Sequence, residues 1–241
     1  MSVTRRYRDV WEGFWEAAPE RVGAVLWDAE PALTAGVHLA LFEPHMTEHV
    51  LPVVDLGCGN GTQTRYLADR FPLVAGVDLA PAAIARARSL DPGGRVRFTV
   101  ADATDPAAVR SLRTELGDAQ VYLRGVLHQA GPADREALAG AVAELVGERG
   151  RAFVVEPAEA AGDILDALAR DPEGPPPKLR PLLAHGIATG GLAEDQGPEL
   201  FRAAGLRVLA AGELPLTTTE YLVDGTRIEL PARWLVVGRG R

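Results

Sequence analysis

The chain has 241 residues, 47% of them hydrophobic, which is enough to bury a full core and is compatible with one domain. Its 25 Lys and Arg stand against 33 Asp and Glu, a net charge of −8, so the protein as a whole repels a phosphate backbone and nucleic acid is not an expected partner. One cysteine, Cys58, excludes an internal disulfide and a multi-cysteine metal site, and fits a reducing compartment.

The first stretch, MSVTRRYRDVWEGFWEAAPE, scatters charges through its apolar residues. It reads as neither a signal peptide nor a membrane span, so a cytoplasmic protein is expected. Tyr7, Trp11, Phe14, Trp15 and Trp27 concentrate aromatic surface in a segment of about 1–45 that precedes the first strand. Trp11 and Trp15 share a helical face, which serves equally to bury that face and to wall a pocket.

From Val53 to Glu156, strand-length apolar runs alternate with helical patterns: LPVVDL, TQTRYLADRF, LVAGVDL, PAAIARARSL, RVRFTVAD, PAAVRSLRTEL, AQVYLRGVL, DREALAGAVAELVGE, RAFVVEP. That alternation predicts an α/β fold, a parallel sheet with helices on both faces. Pro81 and Pro132 fit first-turn positions, and Leu138, Val142, Leu145 and Val146 fall on one helix face.

Residues 158–198 then combine a helical stretch, AEAAGDILDALARD, with PEGPPPKLRPLLAHGIATGGLAEDQGP, too rich in proline and glycine for a long helix. This segment is expected to be a lid inserted near the carboxyl edge of the sheet, with Lys178 and Arg180 on a solvated rim. The chain ends in LRVLAAGELPLTTTEY and RIELPARWLVVGRG around Asp224-Gly225, the signature of a C-terminal antiparallel hairpin. A single domain, 1–241, is the expected organisation.

The chemistry concentrates in VVDLGCGNGTQT. Gly57, Gly59 and Gly61 bare the backbone between a strand and a helix, and their spacing departs from Gly-x-Gly-x-x-Gly. Asp55 at the strand tip opposes a pyrophosphate and favours a ligand that carries positive charge. Two more strands end in acid: Asp78, able to accept from both hydroxyls of a ribose, and Asp102, placed to accept from an exocyclic amine.

Taken together, VVDLGCGNG, VAGVDLAPAAIARAR, VRFTVADATD and VYLRGVLHQ resemble the class I S-adenosylmethionine-dependent methyltransferases. The resemblance implies a Rossmann-like methyltransferase fold with a mostly parallel seven-stranded sheet, and S-adenosyl-L-methionine as cofactor. It implies that Asp55, Gly57, Cys58, Gly59 and Gly61 follow the methionine portion and the ribose, and that Asp78 takes the ribose hydroxyls. Leu79 would pack on adenine, Asp102 and Ala103 would read its edge, and Leu123 and Arg124 would meet the methionyl ammonium through backbone carbonyl. The fourth strand departs from the family pattern: it carries Arg124 and Gly125 at its end, and its acidic residue, Asp118, comes early.

His128, just past that strand, stands open between general base, substrate contact and packing. Trp11, Trp15 and Glu156 complete the candidate substrate residues. Cys58 reads as a space-filler, and the four-residue spacing of His45 and His49 does not make a convincing metal site, so no metal is expected. The absence of a DPPY-like or NPPY-like segment argues against methylation of nucleobase amines, and only Glu156 and Glu159 approach what a protein-arginine enzyme would need. The expected activity is in-line methyl transfer to O, N or C of a small molecule, with a specialised metabolite as the expected substrate, and association into a homodimer stays open. Two rivals keep the fold: a non-methyl reaction such as cyclisation that uses the cofactor as scaffold, and a non-catalytic S-adenosylmethionine-binding subunit.

Overall fold

The computed structural model describes residues 3–240. One sheet runs through it, built from β1 (Val53–Leu56), β2 (Val74–Asp78), β3 (Arg97–Val100), β4 (Gln120–Arg124), β5 (Arg151–Pro157), β6 (Arg207–Tyr221) and β7 (Arg227–Gly238). Their order across the sheet is β3-β2-β1-β4-β5-β7-β6, with β1 to β5 parallel and β7 antiparallel to both its neighbours. The expected terminal hairpin is therefore present, and β1 lies at the centre, paired to β2 on one side and β4 on the other.

β1, β2 and β5 are buried throughout because both faces of the sheet are covered. Side-chain alternation divides the core in two. On β4, Tyr122 joins Phe14, Phe42 and Phe153 on one face, while Val121 and Leu123 join Leu56, Val142 and Phe201 on the other. Each such fully buried Leu or Phe contributes about 1.5–3 kcal/mol relative to exposure.

The crossover helices are α3 (Thr62–Leu67), α4 (Pro81–Ser89), α5 (Pro106–Leu116) and α6 (Pro132–Val146), preceded in the chain by α1 (Val3–Ala17) and α2 (Ala35–Phe42). Proline opens α4, α5 and α6, where its missing N–H costs nothing, and the Asp105 side chain caps α5 by accepting from Ala107 N at 2.9 Å. α3 is shorter than its sequence pattern, ending at Leu67 in tight turns that carry the chain to Pro72 and β2. Among the described residues no helix is long and apolar enough to cross a membrane.

Two segments cover the carboxyl ends of the strands. The N-terminal one, of which residues 1 and 2 lie outside the described residues, docks α1 on α4: both oxygens of Glu12 accept from Ala82 N, at 3.2 and 3.0 Å. Its far end is tied to β6, where Thr219 N donates to Leu26 O at 2.8 Å. The second, 158–198, contains α7 (Glu159–Ala169) and α8 (Arg180–Ala184) and leads into α9 (Gln196–Ala203). Lys178, expected on a solvated rim, is instead anchored: its amide donates to Glu220 Oε2 at 2.6 Å and its ammonium to Thr219 O. Arg180 stays exposed and bonds Pro175 O locally.

Gly61 caps α3 with φ +72°, and a Cβ there would fall 2.5 Å from Phe98 Cζ and 3.2 Å from Ala87 Cβ. Gly61→Ala is expected to cost about 2–4 kcal/mol, the sum of left-handed strain and overpacking. Urea unfolding measures it as a lowered midpoint at unchanged slope; a cost under about 1 kcal/mol would mean that the loop relaxes away from Phe98.

Candidate active site

The loop after β1 holds Gly57, Gly59 and Gly61 at φ +77°, +54° and +72°, a path that side chains rarely follow. The amides of Gly57 and Cys58 both donate to Val77 O, at 2.8 and 3.0 Å, folding the loop back on β2. A Cβ on Gly59 would lie 2.8 Å from the Trp15 ring, so α1 closes directly over bare backbone. The Cys58 thiol is pushed up by burial and by Asp78 and Asp55, and its sulfur fits against Gly76, which makes it a filler.

Around this loop, two clefts meet. The larger is lined by Trp11, Trp15, Trp27, Asp55, Gly57, Cys58, Gly59, Tyr122, Arg124 and His128 among others. The smaller contains Leu79, Asp102, Ala103 and Thr104. Tyr7, Gly57, Asp78, Leu79 and Val126 belong to both, so one elongated ligand can run from Asp102 past Asp78 to Asp55.

The three acids differ in setting. Asp55 is 3% exposed, and its Oδ2 accepts from Thr64 Oγ1 at 2.6 Å. Burial pushes its pKa up to about 7, with Asp78 adding to the rise and the Thr64 bond and the Arg124 charge opposing it. Asp78, also raised by burial, accepts from Gly59 N and Ala80 N, both at 2.9 Å. Asp102 already accepts from Thr104 N and Oγ1 through Oδ1, and from Arg8 at 3.3 Å through Oδ2. An amine reaching Asp102 therefore shares it with Arg8.

His128 lies in a 3-10 turn, Leu127–Gln129, at the rim of the larger cleft. Its Nδ1 is 2.8 Å from Glu156 Oε2, and its Nε2 is 2.7 Å from Gln129 Nε2, which also donates to Ala188 O at 2.8 Å. A side-chain amide nitrogen only donates, so the network assigns the proton to Nδ1 and leaves Nε2 as an acceptor. Glu156 fixes this arrangement, accepting also from Val126 N at 2.8 Å and Leu127 N at 2.9 Å.

Glu156 is thus corrected from a substrate contact to a residue behind His128: it is 4% exposed and lines a separate cavity on the other side of the turn. The Leu123 side chain is fully buried in the core with Leu56 and Val154, which leaves its backbone carbonyl as the part of the residue that the resemblance assigns to the ligand. Trp11 and Trp15 do wall the larger cleft, Trp11 packing edge-on to Trp27 at 5.5 Å. Leu165, Leu182, Ile187, Ala188 and Thr189 bring the 158–198 segment to the same cavity.

Sequence reasoning named Arg124, for its backbone carbonyl, and missed Tyr122 on the floor of that cavity. Tyr122 sits opposite Asp55 in the β1–β4 register, and its hydroxyl lies 2.7 Å from His38 Nδ1. His38 stacks on Phe153 at 5.3 Å, and burial, aided by Arg124, drives its pKa down to about 3, so it is neutral. The Arg124 side chain shares the floor and donates to Trp27 O at 2.7 Å. The available signal was strand alternation, which places Tyr122 and Arg124 on one face.

Residues 53–150 match the family model described as a methyltransferase domain. A stretch of 83 residues is 37% identical to trans-aconitate 2-methyltransferase of Acidovorax sp. (strain JS42), covering 27% of this chain and 31% of that relative. A solved S-adenosylmethionine-dependent methyltransferase from Anabaena variabilis ATCC 29413 superposes with TM-score 0.88 at 27% identity, covering 100% of this chain and 96% of the other. The fold is also that of Burkholderia thailandensis 1,6-didemethyltoxoflavin-N1-methyltransferase, solved with 1,6-didemethyltoxoflavin and S-adenosylhomocysteine bound, at TM-score 0.63, 18% identity and coverage of 100% and 92%.

Asp55 gives the unliganded protein a pH signature. The unfolded chain releases this proton near 3.8, whereas the folded chain keeps it to about 7. Between those values the native state binds more protons, so the contribution of Asp55 makes stability fall as pH rises. Asp55→Asn is expected to remove that fall. Urea midpoints measured from pH 4 to 8 check it, and parallel curves for the two proteins would refute the assignment.

Proposed function

We propose that this chain, a class I S-adenosylmethionine-dependent methyltransferase by fold and domain match with S-adenosylmethionine as cofactor, transfers a methyl group to a small-molecule acceptor held in the larger cleft. The observation that carries the reading is His128, held from behind by Glu156, which opens on the same cavity as Asp55 and the glycine loop. A specialised metabolite suits a cavity walled by Trp11, Trp15 and Trp27.

The residues present fit the cofactor. Asp55 is a buried acid whose charged form is held back by desolvation, and an ammonium beside it would favour ionisation. Gly57, Gly59 and Gly61 allow close approach of the ligand, Asp78 stands where the clefts join for the ribose hydroxyls, and Leu79, Asp102 and Ala103 form the adenine end. When bound, S-adenosylmethionine supplies a methyl group already activated on a sulfonium.

The chain's own contribution is then positioning, desolvation and proton transfer. Trp11, Trp27 and the 158–198 segment exclude water and orient the acceptor. His128 Nε2 takes the acceptor's proton once Gln129 yields its place, and Glu156 stabilises the resulting imidazolium from the far side.

Incubation with methyl-labelled S-adenosylmethionine and an acceptor panel tests the reading, and label that never leaves the cofactor would overturn it. Against a productive acceptor, His128→Ala is expected to lower kcat by about 10²–10⁴-fold while S-adenosylhomocysteine affinity is unchanged. Activity should recover as pH approaches the acceptor's own pKa. Glu156→Gln should fall between the two proteins in kcat. A deficit in His128→Ala that does not vary with pH would exclude proton abstraction by this residue.

A further inference from the structure

Arg124 has a role that methyl transfer and the cofactor leave unassigned. It is the one lysine or arginine among the described residues that line the larger cleft. The acids of that cavity already have donors: Asp28 has Asn60 Nδ2 at 2.9 Å, Asp55 has Thr64 Oγ1, and Asp78 has two backbone amides. Arg124 is not so provided. Nη2 donates to Trp27 O, while Nε is buried with no hydrogen-bond partner.

A charged donor removed from water without an acceptor is costly, and few native structures leave one so unless something else supplies the acceptor. The edge of a guanidinium carrying Nε matches two carboxylate oxygens. Nη2 is pinned to the carbonyl of Trp27, which holds the guanidinium against the aromatic cap. The chain's net charge of −8 repels anions generally, so capture of one inside needs a local cation.

We infer that Arg124 is the carboxylate receptor of the acceptor site, so that the acceptor is a small organic acid whose carboxylate docks on Nε while the reacting atom faces His128. This rests on the proposed methyltransferase reading and narrows its substrate class.

The test uses the full chain saturated with S-adenosylhomocysteine and titrated, by tryptophan fluorescence, with benzoate and trans-cinnamate, each beside its uncharged amide. Both acids are expected to bind at least about tenfold tighter than their amides, the scale of one charge-assisted hydrogen bond. Arg124→Gln should erase the difference, and Arg124→Lys, which keeps charge but loses the fork, should retain part of it. Equal binding of acid and amide by the native protein overturns the inference, as does failure of either acid to bind or a preference that survives in Arg124→Gln. If Arg124→Gln instead weakens S-adenosylhomocysteine while sparing the acids, the residue serves the cofactor and the inference falls. Should Arg124→Gln not fold, the native comparison and Arg124→Lys decide. A native protein that binds no S-adenosylhomocysteine fails at the earlier step and takes both readings down.

Discussion

The carboxylate of Asp78 is the constraint from which the site is built. Buried at the tip of β2, it accepts one amide from the glycine loop, Gly59, and one from the approach to α4, Ala80. Those bonds compensate for a charge that burial disfavours, and they lock two βα turns to each other. The loop so held leaves no room for a side chain at Gly59, which lets Trp15 lie on it; α1, carrying Trp15, is fastened by Glu12 to the first turn of α4. Loop, cap, helix and strand tip close a ring, and the ligand cleft is what the ring encloses.

The sheet distributes the remaining chemistry by parity. Alternate residues of β4 face opposite cores, so Tyr122 and Arg124 look toward the cap while Leu123 is consigned to packing under α6. β5 contributes Glu156 at its end, where it gathers the amides of the turn that carries His128. A carboxylate that accepts backbone amides and a ring N–H at once orients the imidazole and holds the backbone beneath it, so position and tautomer have the same origin.

What was legible in the sequence was local. Val53–Leu56 and the glycines after it, the acids that close successive strands, and proline at helix starts are each readable within a dozen residues, and together they specify the sheet and the glycine-lined cleft at its edge. The unread parts depend on partners distant in the chain. Gln129 reaches Ala188, His128 reaches Glu156, and His38 reaches Tyr122 across 84 positions. No spacing rule connects such pairs before the topology is known. Glu156 was read as a substrate contact, whereas its side chain meets His128 and the amides of the turn, because the sequence reveals a strand end but not which side of the turn its side chain occupies. Lys178 looked like a rim cation for the same reason, since the β6 backbone that it grips lies 41 residues on.

The double attachment of Gln129 has a consequence of its own. One amide nitrogen holds both the imidazole Nε2 and the carbonyl of Ala188, so the ring's acceptor nitrogen is occupied and the cavity wall is tied down by the same group. A solute that merely diffuses in, water included, finds no vacant lone pair. Replacing the Gln129 amide at the ring therefore also disturbs its bond to the Ala188 carbonyl. The ring's acceptor nitrogen and the cavity wall are thereby tied to one side chain, so neither moves without the other.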